Sequence, residues 1–437
     1  MDKTGYDGIS TRFRAKQIKN QDLEGTVFRE LFDSNADHVS EALAQAARIR
    51  AEAIESETGV GLPHIAGART DNGRISADGR LLPGIEMKVG AAVIPMGIAG
   101  PVRVLGENAD GEYYIPLATN EAALVAGVQR GIKAINLSGG IHTLVEYDGM
   151  SRAPLLEAPD IGEARRFCVQ VEEDGSMIRE LQTHIQDPFV RLESIDPYQL
   201  GTKVFLRLNC KTGDAMGMNG VTKAAADICR ALLRRLPEWK LITISSNLCT
   251  DKKAAHINVL NGRGKSVHAE VTIPAKVLSA VFRAGVTARA VERVVFHKCY
   301  LGSALSGTLT GFNVNAANTI AALFAATGQD LAQVVTSSSC FVQADEIDGA
   351  LHFMVSLPSL EVATTGGGTM YGTAQEALRL MHCDGRGDSI DDNYRVLRLA
   401  EIMAAAVAAL DLNTACAQAA GYEMADSHVK LARGEEA

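Results

Sequence analysis

Several patterns that would place this chain in a special class are missing. Its eight cysteines form no Cys-x-x-Cys pair, which favours reduced thiols over disulfides or a zinc site. No block rich in lysine and arginine is present, and the net charge is −9 with a pI near 5.6, so a nucleic-acid surface is not expected. The first residues lack the apolar core of a secretory signal. Together these absences predict a cytoplasmic protein without a metal site.

Two further patterns bear on the fold. No G-x-G-x-x-G follows a first strand, which disfavours a doubly wound dinucleotide fold. Residues 299–329 carry no charge, but glycines and asparagines interrupt them, so we interpret this run as buried and not as a membrane span. The chain has 437 residues, of which 46% are hydrophobic and 22% charged. That is enough for large cores in two or three domains.

Hydrophobic periodicity predicts the helices and strands of the first part of the chain. Residues 40–58 show helical spacing typical of an exposed helix, and residues 63–83 are rich in turn formers, which predicts a linker. Buried strands are expected at 89–104 and 113–118. A helix over 120–134 would then place Glu121 in its first turn, where a carboxylate favours the helix dipole.

From about residue 154 the pattern alternates between strand and helix. Strands are predicted at 167–171, 189–195 and 203–208, and helices at 178–183 and 221–236. This succession predicts a compact α+β domain inserted into a larger one.

The loop at residues 245–253 places an acid and two lysines directly after the apolar run 241–244. Loops that follow strands often carry functional groups, but such charge runs are also typical of solvated turns. Residues 262–266 indicate a hairpin-like turn. Asp330 is the only charge in a long apolar neighbourhood, so it is either a helix-end residue or the buried partner of a lysine.

Taken together, the motifs of the chain resemble those of 3-hydroxy-3-methylglutaryl-CoA (HMG-CoA) reductases over about residues 86–428. They recur in the order and spacing of that family: IPMGIAGP (94–101), ATNEA (118–122), DGMSRAP (148–154), GDAMGMN (213–219), CTDKKAAHIN (249–258), GRGKSV (262–267), IPAKV (273–277), LGSA (301–304), GQD (328–330), TGGGT (365–369) and SH (427–428). The resemblance is to the soluble catalytic part of the biosynthetic (class I) subgroup. It implies two successive hydride transfers from NADH or NADPH, which reduce the thioester to mevalonate and CoA.

The resemblance also implies an architecture. The fold class is α+β, with a large CoA-binding domain (81–153 and 245–437), an inserted small ferredoxin-like dinucleotide-binding domain (154–244) and a helical N-terminal region (1–80). The implied assembly is a homodimer, or a set of dimers, with active sites between subunits. No membrane or nucleic-acid partner is expected.

Four residues match the catalytic positions of that family. Lys252 would stabilise the negative charge that develops on the thioester oxygen, and Asp330 beside it would keep it charged. Glu121 would deliver a proton, which requires that burial raise its pKa. His428 would protonate the leaving thiolate, and its place near the end of the chain suits a gate.

The remaining matches are binding residues. Those for the hydroxymethylglutaryl group are Arg152, Ser245, Asp251, Lys253 and Lys298. Those for CoA phosphates are Arg130, Lys133 and Lys276. Those for the dinucleotide are Asp187, Asp214, Met216, Gly217, Met218, Asn219, Gly366, Gly367 and Thr369.

The chain departs from the family pattern at informative positions. NADPH-using relatives have a Ser-Arg pair where this chain has Asp187 and Pro188. A carboxylate accepts hydrogen bonds from ribose hydroxyls but repels a 2′-phosphate, so NADH is the favoured cofactor. The alternative is that Asp187 faces solvent and that Arg191 or another cation binds the phosphate. In addition, Asn315 replaces a usual histidine.

Three other functions stay open. One is the catabolic direction, in which mevalonate is oxidised with NAD. Another is a thiolase- or acyltransferase-like reaction that uses Cys340 as nucleophile, and it requires that residue for activity. The last is a non-catalytic CoA-binding protein, which the joint presence of the four catalytic matches disfavours.

Overall fold

Three helices near the start of the chain pack their apolar faces together. The computed structural model describes residues 3–68, 74–75, 81–82, 84–283 and 285–429. One compact unit comprises Met1–Pro95 and Gly367–Glu376. Its core consists of side chains such as Ile9, Val27 and Ile49, which lie on facing sides of the helices. Its elements are α1 Lys3–Arg14, α2 Leu23–Phe32, α3 Val39–Thr58, α4 Pro63–Gly67, β1 Arg74–Ile75 and β2 Leu81–Leu82.

The helix predicted at 40–58 is confirmed by α3. The predicted linker at 63–83 contains α4 and the short antiparallel pair β1 and β2. Residues 69–73, 76–80 and 83 of that linker lie outside the described residues.

The second unit comprises Met96–Gly366 and Ala377–Ala437. Its strands are β3 Met96–Gly106, β4 Asp110–Ala118, β5 Ile141–Arg152, β6 Leu155–Glu157, β7 Arg191–Leu200, β8 Lys203–Lys211, β9 Lys240–Thr243, β10 Gly264–Ile273, β11 Gly311–Phe312, β12 Cys340–Ile347 and β13 Ala350–Leu360. The helices are α5 Leu124–Leu137, α6 Ile161–Glu173, α7 Gly175–Gln182, α8 Met218–Arg235, α9 Ile257–Asn261, α10 Ala275–Val281, α11 Ala288–Val295, α12 Ser303–Ser306, α13 Ala316–Thr327, α14 Val334–Ser337, α15 Gly372–Leu380, which begins in the first unit, α16 Tyr394–Ala419 and α17 Glu423–His428.

One sheet of eleven strands runs through the second unit, and β5 connects its two halves. The order is β11-β12-β13-β10-β5-β8-β6-β9, with β3 between β4 and β5, and β7 on β8. The first part of β5 pairs with β10, for example Thr143 with Ala269. Its last three residues pair with β8, so that Met150 lies opposite Cys210. A mixed α+β fold is confirmed.

Two separate hydrophobic cores lie in this unit. The larger surrounds α16 and includes β10, β13 and α13. The smaller lies between β7, β8 and helices α6 to α8, and its buried members lie between Met150 and Trp239 in the sequence. The ferredoxin-like insertion at 154–244 and the other domain boundaries stay predictions.

The strand predicted at 167–171 is wrong, because these residues belong to α6. Ala164, Phe167, Cys168 and Val171 are all buried and follow the i, i+3, i+4, i+7 spacing of one helix face. A five-residue window contains too little of that pattern to tell it from a strand.

The uncharged run at 299–329 is not one continuous span. It contains the end of the π-helix Phe296–Gly302, then α12, β11 and α13. Only α16 among the described residues is long and apolar enough to cross a membrane, and 89% of its apolar window is buried inside the protein. We therefore interpret α16 as a core helix.

Candidate active site

The loop that follows β9 holds three non-glycine residues in the left-handed backbone region. Asn247, Thr250 and Lys252 have φ angles of 66°, 57° and 58°, a conformation that persists only where the surrounding structure enforces it. Ser246 fixes the start of the loop, since its backbone N and Oγ donate to the carbonyl of Ala153 at 2.9 and 2.8 Å. The 245–253 segment is therefore a constrained loop and not a freely solvated turn.

A fully buried arginine anchors this loop. Arg263 Nη1 donates to the carbonyl of Cys249 at 2.6 Å and to the carbonyl of Ser151 at 2.7 Å. Its Nε donates to Glu361 Oε1 at 2.7 Å, and neither side chain of this ion pair is exposed. The hairpin-like turn expected at 262–266 is wrong, because β10 begins at Gly264. The charge of Arg263, just before that strand, is neutralised in the core by Glu361.

Sequence reasoning missed Arg263 and Glu361 as site residues. They are 98 positions apart, and no local pattern links them. The only available signal was the arginine of the GRGKSV segment. A charged side chain at the start of a buried strand needs a partner that neutralises it.

The carboxylate of Asp251 is the second anchor of the loop. Gln333 Nε2 donates to Asp251 Oδ1 at 2.9 Å, and Arg263 Nη2 lies 3.2 Å from the same oxygen. Arg152 Nη1 lies 3.6 Å from Oδ2. Burial opposes ionisation, but the Gln333 hydrogen bond and the two guanidinium groups outweigh it and lower the pKa of Asp251. Asp251 is therefore a fixed anion, and Gln333 is a further residue that the sequence did not reveal.

Arg152 joins Asp251 and Ser245 in one cluster, and all three are residues predicted for the hydroxymethylglutaryl site. Its Nη1 donates to Ser245 Oγ at 3.0 Å. Its Nε and Nη2 donate to Thr222 Oγ1 of α8 at 3.0 and 2.7 Å. The guanidinium, which is largely buried, is thus held by α8 and the loop together. This cluster fixes a cation and a hydroxyl group beside the loop.

Lys252 and Asp330 form an ion pair at the end of the loop. Lys252 Nζ lies 3.1 Å from Asp330 Oδ2, and the two side chains are 44% and 36% exposed. Asp330 is therefore the partner of a lysine and also a helix-end residue, since it caps the 3₁₀ turn Leu331–Gln333, but the pair is not buried. Asp330 Oδ1 also accepts from the backbone N of Ala332 at 3.1 Å, which orients the carboxylate.

The two other lysines predicted for this site are placed differently. Lys253 is exposed, and its Nζ donates to the backbone carbonyl of Asp251 at 3.0 Å. Lys298 is exposed on the π-helix. Its charge acts on the buried Asp411 of α16, and no described contact joins it to the 245–253 loop.

Glu121 is not in a helix, which corrects the sequence prediction. Helix α5 begins at Leu124, after Ala123 adopts a left-handed φ of 73°. Glu121 lies in the preceding turn, where its backbone N donates to Thr119 Oγ1 at 3.0 Å, and its side chain is exposed. The burial expected for this carboxyl group is not supplied by the single chain.

The cavity beside Glu121 has a volume of about 250 Å³ and is also lined by Arg130 and Asn315. Among the described contacts, none joins Glu121 to Lys252 or Asp330. His428 ends α17, but its side chain lies outside the described residues. Within one chain, the structure thus brings together Lys252 and Asp330 of the four predicted catalytic groups.

The predicted CoA-binding cations lie on α5 and on α10, which packs against it. Lys133 and Lys276 are exposed. Arg130 already has two partners within the chain. Its Nε donates to Asn413 Oδ1 at 2.6 Å, and its Nη1 pairs with the buried Glu423. Lys133 and Lys276 are the cations of this set that solvent reaches freely.

The predicted dinucleotide segment 213–219 leads into α8. Gly217 caps that helix at a φ of 86°, and a Cβ there would lie 2.4 Å from the Cβ of Thr212, so glycine is required. Asn219 is exposed in the first turn, and Met216 is half-buried. Met218 is buried and accepts a hydrogen bond from Arg263 at its Sδ, 3.0 Å away.

Asp214 of this segment does not present its carboxylate to a ligand. Its two oxygens accept from the backbone N of Gly387 at 2.8 Å and from that of Val396 at 3.1 Å. Burial raises the pKa of Asp214. A direct contact between this carboxylate and a dinucleotide therefore lacks support, and Asp214 instead positions its neighbours.

Asp187 lies at the same end of α8. Its Oδ1 accepts from the backbone N of Phe189 at 3.0 Å, and a Cβ on Gly220 would come within 3.3 Å of its Oδ2. Arg191, named above as a possible phosphate ligand, is already paired with Asp391 and Glu193 at 2.6 to 2.8 Å. Gly366 has a φ of 82° and open space where a Cβ would be. Gly367 and Thr369 belong to the first unit.

Cys340 is unsuited to nucleophilic chemistry. It is fully buried at the start of β12, and burial raises its pKa well above the ordinary value. Because the thiolate is the reactive form, a thiolase-like use of Cys340 is disfavoured.

Comparison with known proteins decides the family. The family model of hydroxymethylglutaryl-coenzyme A reductase matches residues 46–433. This chain belongs to the HMG-CoA reductase family. It is accordingly an oxidoreductase that acts on HMG-CoA.

Relatives in this family include several archaeal proteins named 3-hydroxy-3-methylglutaryl-coenzyme A reductase. The Aeropyrum pernix protein is 44% identical over 89% of this chain and 90% of its own length. The Methanothermobacter thermautotrophicus protein is 42% identical over 89% of this chain and 94% of its own length. A solved class II HMG-CoA reductase from Streptococcus pneumoniae, described as bound to NADPH, covers 76% of this chain and 86% of its own length, with a TM-score of 0.56 and 18% identity. That last likeness shows the shared fold.

Proposed function

We propose that this HMG-CoA reductase transfers two hydrides from a nicotinamide dinucleotide to the thioester carbon of HMG-CoA and releases mevalonate and CoA. The observation that carries the proposal is the Lys252–Asp330 ion pair at 3.1 Å. It lies on a loop in which Asp251, one residue before Lys252, is held by Arg152 and Arg263.

Lys252 has the position and charge to stabilise an oxyanion. Hydride addition to a thioester makes the carbonyl oxygen an alkoxide, and a fixed ammonium group lowers the free energy of that transition state. The left-handed backbone of Lys252 and its pairing with Asp330 fix where the ammonium lies. Asp330 provides an opposite charge that holds this ammonium in place.

The hydroxymethylglutaryl carboxylate is assigned to the cluster around Arg152. Its guanidinium is held by Thr222 and Ser245, so it loses little freedom when an anion binds. The exposed Lys253 adds a second cation nearby. Lys133 and Lys276 are assigned to the phosphates of CoA.

Glu121 and His428 are assigned as proton donors at a site completed by a second copy of the chain. Glu121 is exposed and has no described contact with Lys252, whereas reductive chemistry needs a site from which water is excluded. A homodimer that places Glu121 of one subunit against Lys252 of the other satisfies both requirements.

The dinucleotide is assigned to the N-terminal end of α8, with NADH as the preferred cofactor. The backbone N–H groups at that helix end suit a pyrophosphate, and Asp187 lies beside Gly220 of the same turn. A carboxylate there disfavours a 2′-phosphate.

The test is a spectrophotometric assay of cofactor oxidation that depends on HMG-CoA, run with NADH and with NADPH. We expect activity with HMG-CoA and a higher kcat/KM for NADH. In Asp187→Ser, the NADPH to NADH ratio of kcat/KM should rise about tenfold, since one unfavourable charge is removed. A wild-type preference for NADPH would end the cofactor assignment, and oxidation of neither cofactor would end the reductase assignment.

A further inference from the structure

A cation without a carboxylate partner lies next to the Asp187 segment. The guanidinium carbon of Arg386 is 4.5 Å from the centroid of the Phe189 ring. Phe189 is the residue whose backbone N donates to Asp187 Oδ1. Among the described residues, no carboxylate lies within ion-pair distance of Arg386, and its side chain is exposed.

Arg191, which follows this segment in the sequence, differs from Arg386 because it has carboxylate partners. Its guanidinium makes two hydrogen bonds of 2.8 Å to Asp391 and one of 2.6 Å to Glu193. Two carboxylates therefore neutralise Arg191. Arg386 keeps its full charge available for an anion that approaches from solvent.

The backbone around Arg386 is fixed to the predicted dinucleotide segments. Thr364 Oγ1 donates to the carbonyl of Gly385 at 2.9 Å. The backbone N of Gly387 donates to Asp214 Oδ2 at 2.8 Å. A Cβ on Gly387 would lie 1.8 Å from the carbonyl oxygen of Asp392, so this turn admits only glycine. Asp214 thus acts through its neighbours and holds Arg386 near the start of α8.

We propose that Arg386 is a specificity-determining residue that binds the adenosine 2′-phosphate of NADPH, opposing the preference for NADH that Asp187 creates. The inference rests on the proposed function for the position of the dinucleotide at Asp187. A guanidinium suits a phosphate dianion because it offers parallel N–H donors. Its stacking on Phe189 reduces the conformational freedom that binding would otherwise remove.

The direct test measures the binding of adenosine 2′,5′-bisphosphate and of AMP by calorimetry, so that no turnover is needed. In Arg386→Ala we expect the Kd for the bisphosphate to rise about tenfold or more, as for loss of a charged hydrogen bond. The Kd for AMP should change less than about twofold, because AMP lacks the 2′-phosphate. Arg386→Lys keeps the charge and should give an intermediate Kd.

Arg234→Ala is the matched control, since it removes an exposed arginine from the far end of α8. It should change neither Kd. Three results would overturn the proposal. Arg386→Ala could lose affinity equally for both ligands, it could lose affinity for neither, or the unaltered protein could fail to bind the bisphosphate. Because binding is measured without HMG-CoA, these results differ from a failed reductase assay or a reversed cofactor preference in wild type.

Discussion

At the scale of single residues, the site depends on charges that the fold places at fixed distances. Arg263 holds the loop that carries Lys252, because it binds the carbonyl of Cys249 and the carboxylate of Asp251. Arg263 in turn is neutralised by Glu361 in the core. A buried pair of this kind stabilises a geometry more than it stabilises the fold.

This pair gives a prediction about stability. Glu361→Ala should lower the free energy of unfolding by about 3–5 kcal/mol, because an unpaired guanidinium would remain buried. Arg230→Ala breaks an exposed pair with Asp227, and it should cost less than about 0.5 kcal/mol. Urea unfolding followed by circular dichroism measures both. Equal effects of the two substitutions would show that Arg263 finds another partner or reaches water.

Some site residues could be predicted from the sequence and others could not. Arg152, Ser245, Asp251 and the Lys252–Asp330 pair carry sequence signals that the structure brings together. The sequence placed Asp330 in an apolar setting and so suggested burial, but burial is decided by distant elements. Gln333 and Arg386 were missed because their partners lie far away along the chain.

At the scale of elements, α16 carries a fully buried carboxyl group, that of Asp411. Asp411 of α16 accepts hydrogen bonds from the backbone N of Val314 at 3.0 Å and of Asn315 at 2.9 Å. These bonds fix the chain at the start of α13. Burial nevertheless raises the pKa of Asp411 to about 7.

The raised pKa predicts a pH dependence of stability. The unfolded carboxyl has a pKa of about 3.9, so the folded state holds its proton more tightly between about pH 4 and pH 7. The free energy of unfolding should therefore fall through this window as pH rises, by at most about 1.4 kcal/mol per pH unit from this group. Asp411→Asn should lack this component.

The measurement is the difference in free energy of unfolding between wild type and Asp411→Asn from pH 4 to pH 8. The exposed Asp110→Asn is the control. Parallel curves for wild type and Asp411→Asn would contradict the assigned pKa.

Element boundaries show the limits of local sequence patterns. The long helices α3 and α8 follow their apolar periodicity, so both were predicted nearly in full. The start of α5 was not, because the left-handed Ala123 ends the preceding turn and non-glycine residues of that kind carry no reliable local signal. The strand predicted within α6 covers only five residues, which are too few to show the helical period.

At the scale of the whole molecule, we propose that a second chain completes the site. Glu121 and the Lys252–Asp330 pair are exposed in the single chain. The fold of one chain fixes the position of each group but leaves it in contact with water. Another molecule must therefore cover these groups to exclude water. A second copy is the simplest candidate, since two-fold assemblies are the commonest among soluble oligomers.

A subunit-mixing experiment tests this assembly. Glu121→Ala and Lys252→Ala should each be inactive alone. If each active site combines Glu121 of one subunit with Lys252 of the other, random mixing should restore about a quarter of wild-type activity, because half of the dimers then contain one intact site. A mixture that stays inactive, although native mass spectrometry shows mixed dimers, would place both residues in one chain's site.

The central claim is that the ammonium of Lys252 stabilises the oxyanion formed by hydride transfer. The most direct test is kcat for HMG-CoA reduction by Lys252→Ala, with Lys240→Ala, an exposed lysine of β9, as control. We predict a fall in kcat of about 10²- to 10³-fold or more, as for other oxyanion-stabilising groups, with nearly unchanged HMG-CoA binding and no change in the control. A kcat for Lys252→Ala within about tenfold of wild type would contradict the account.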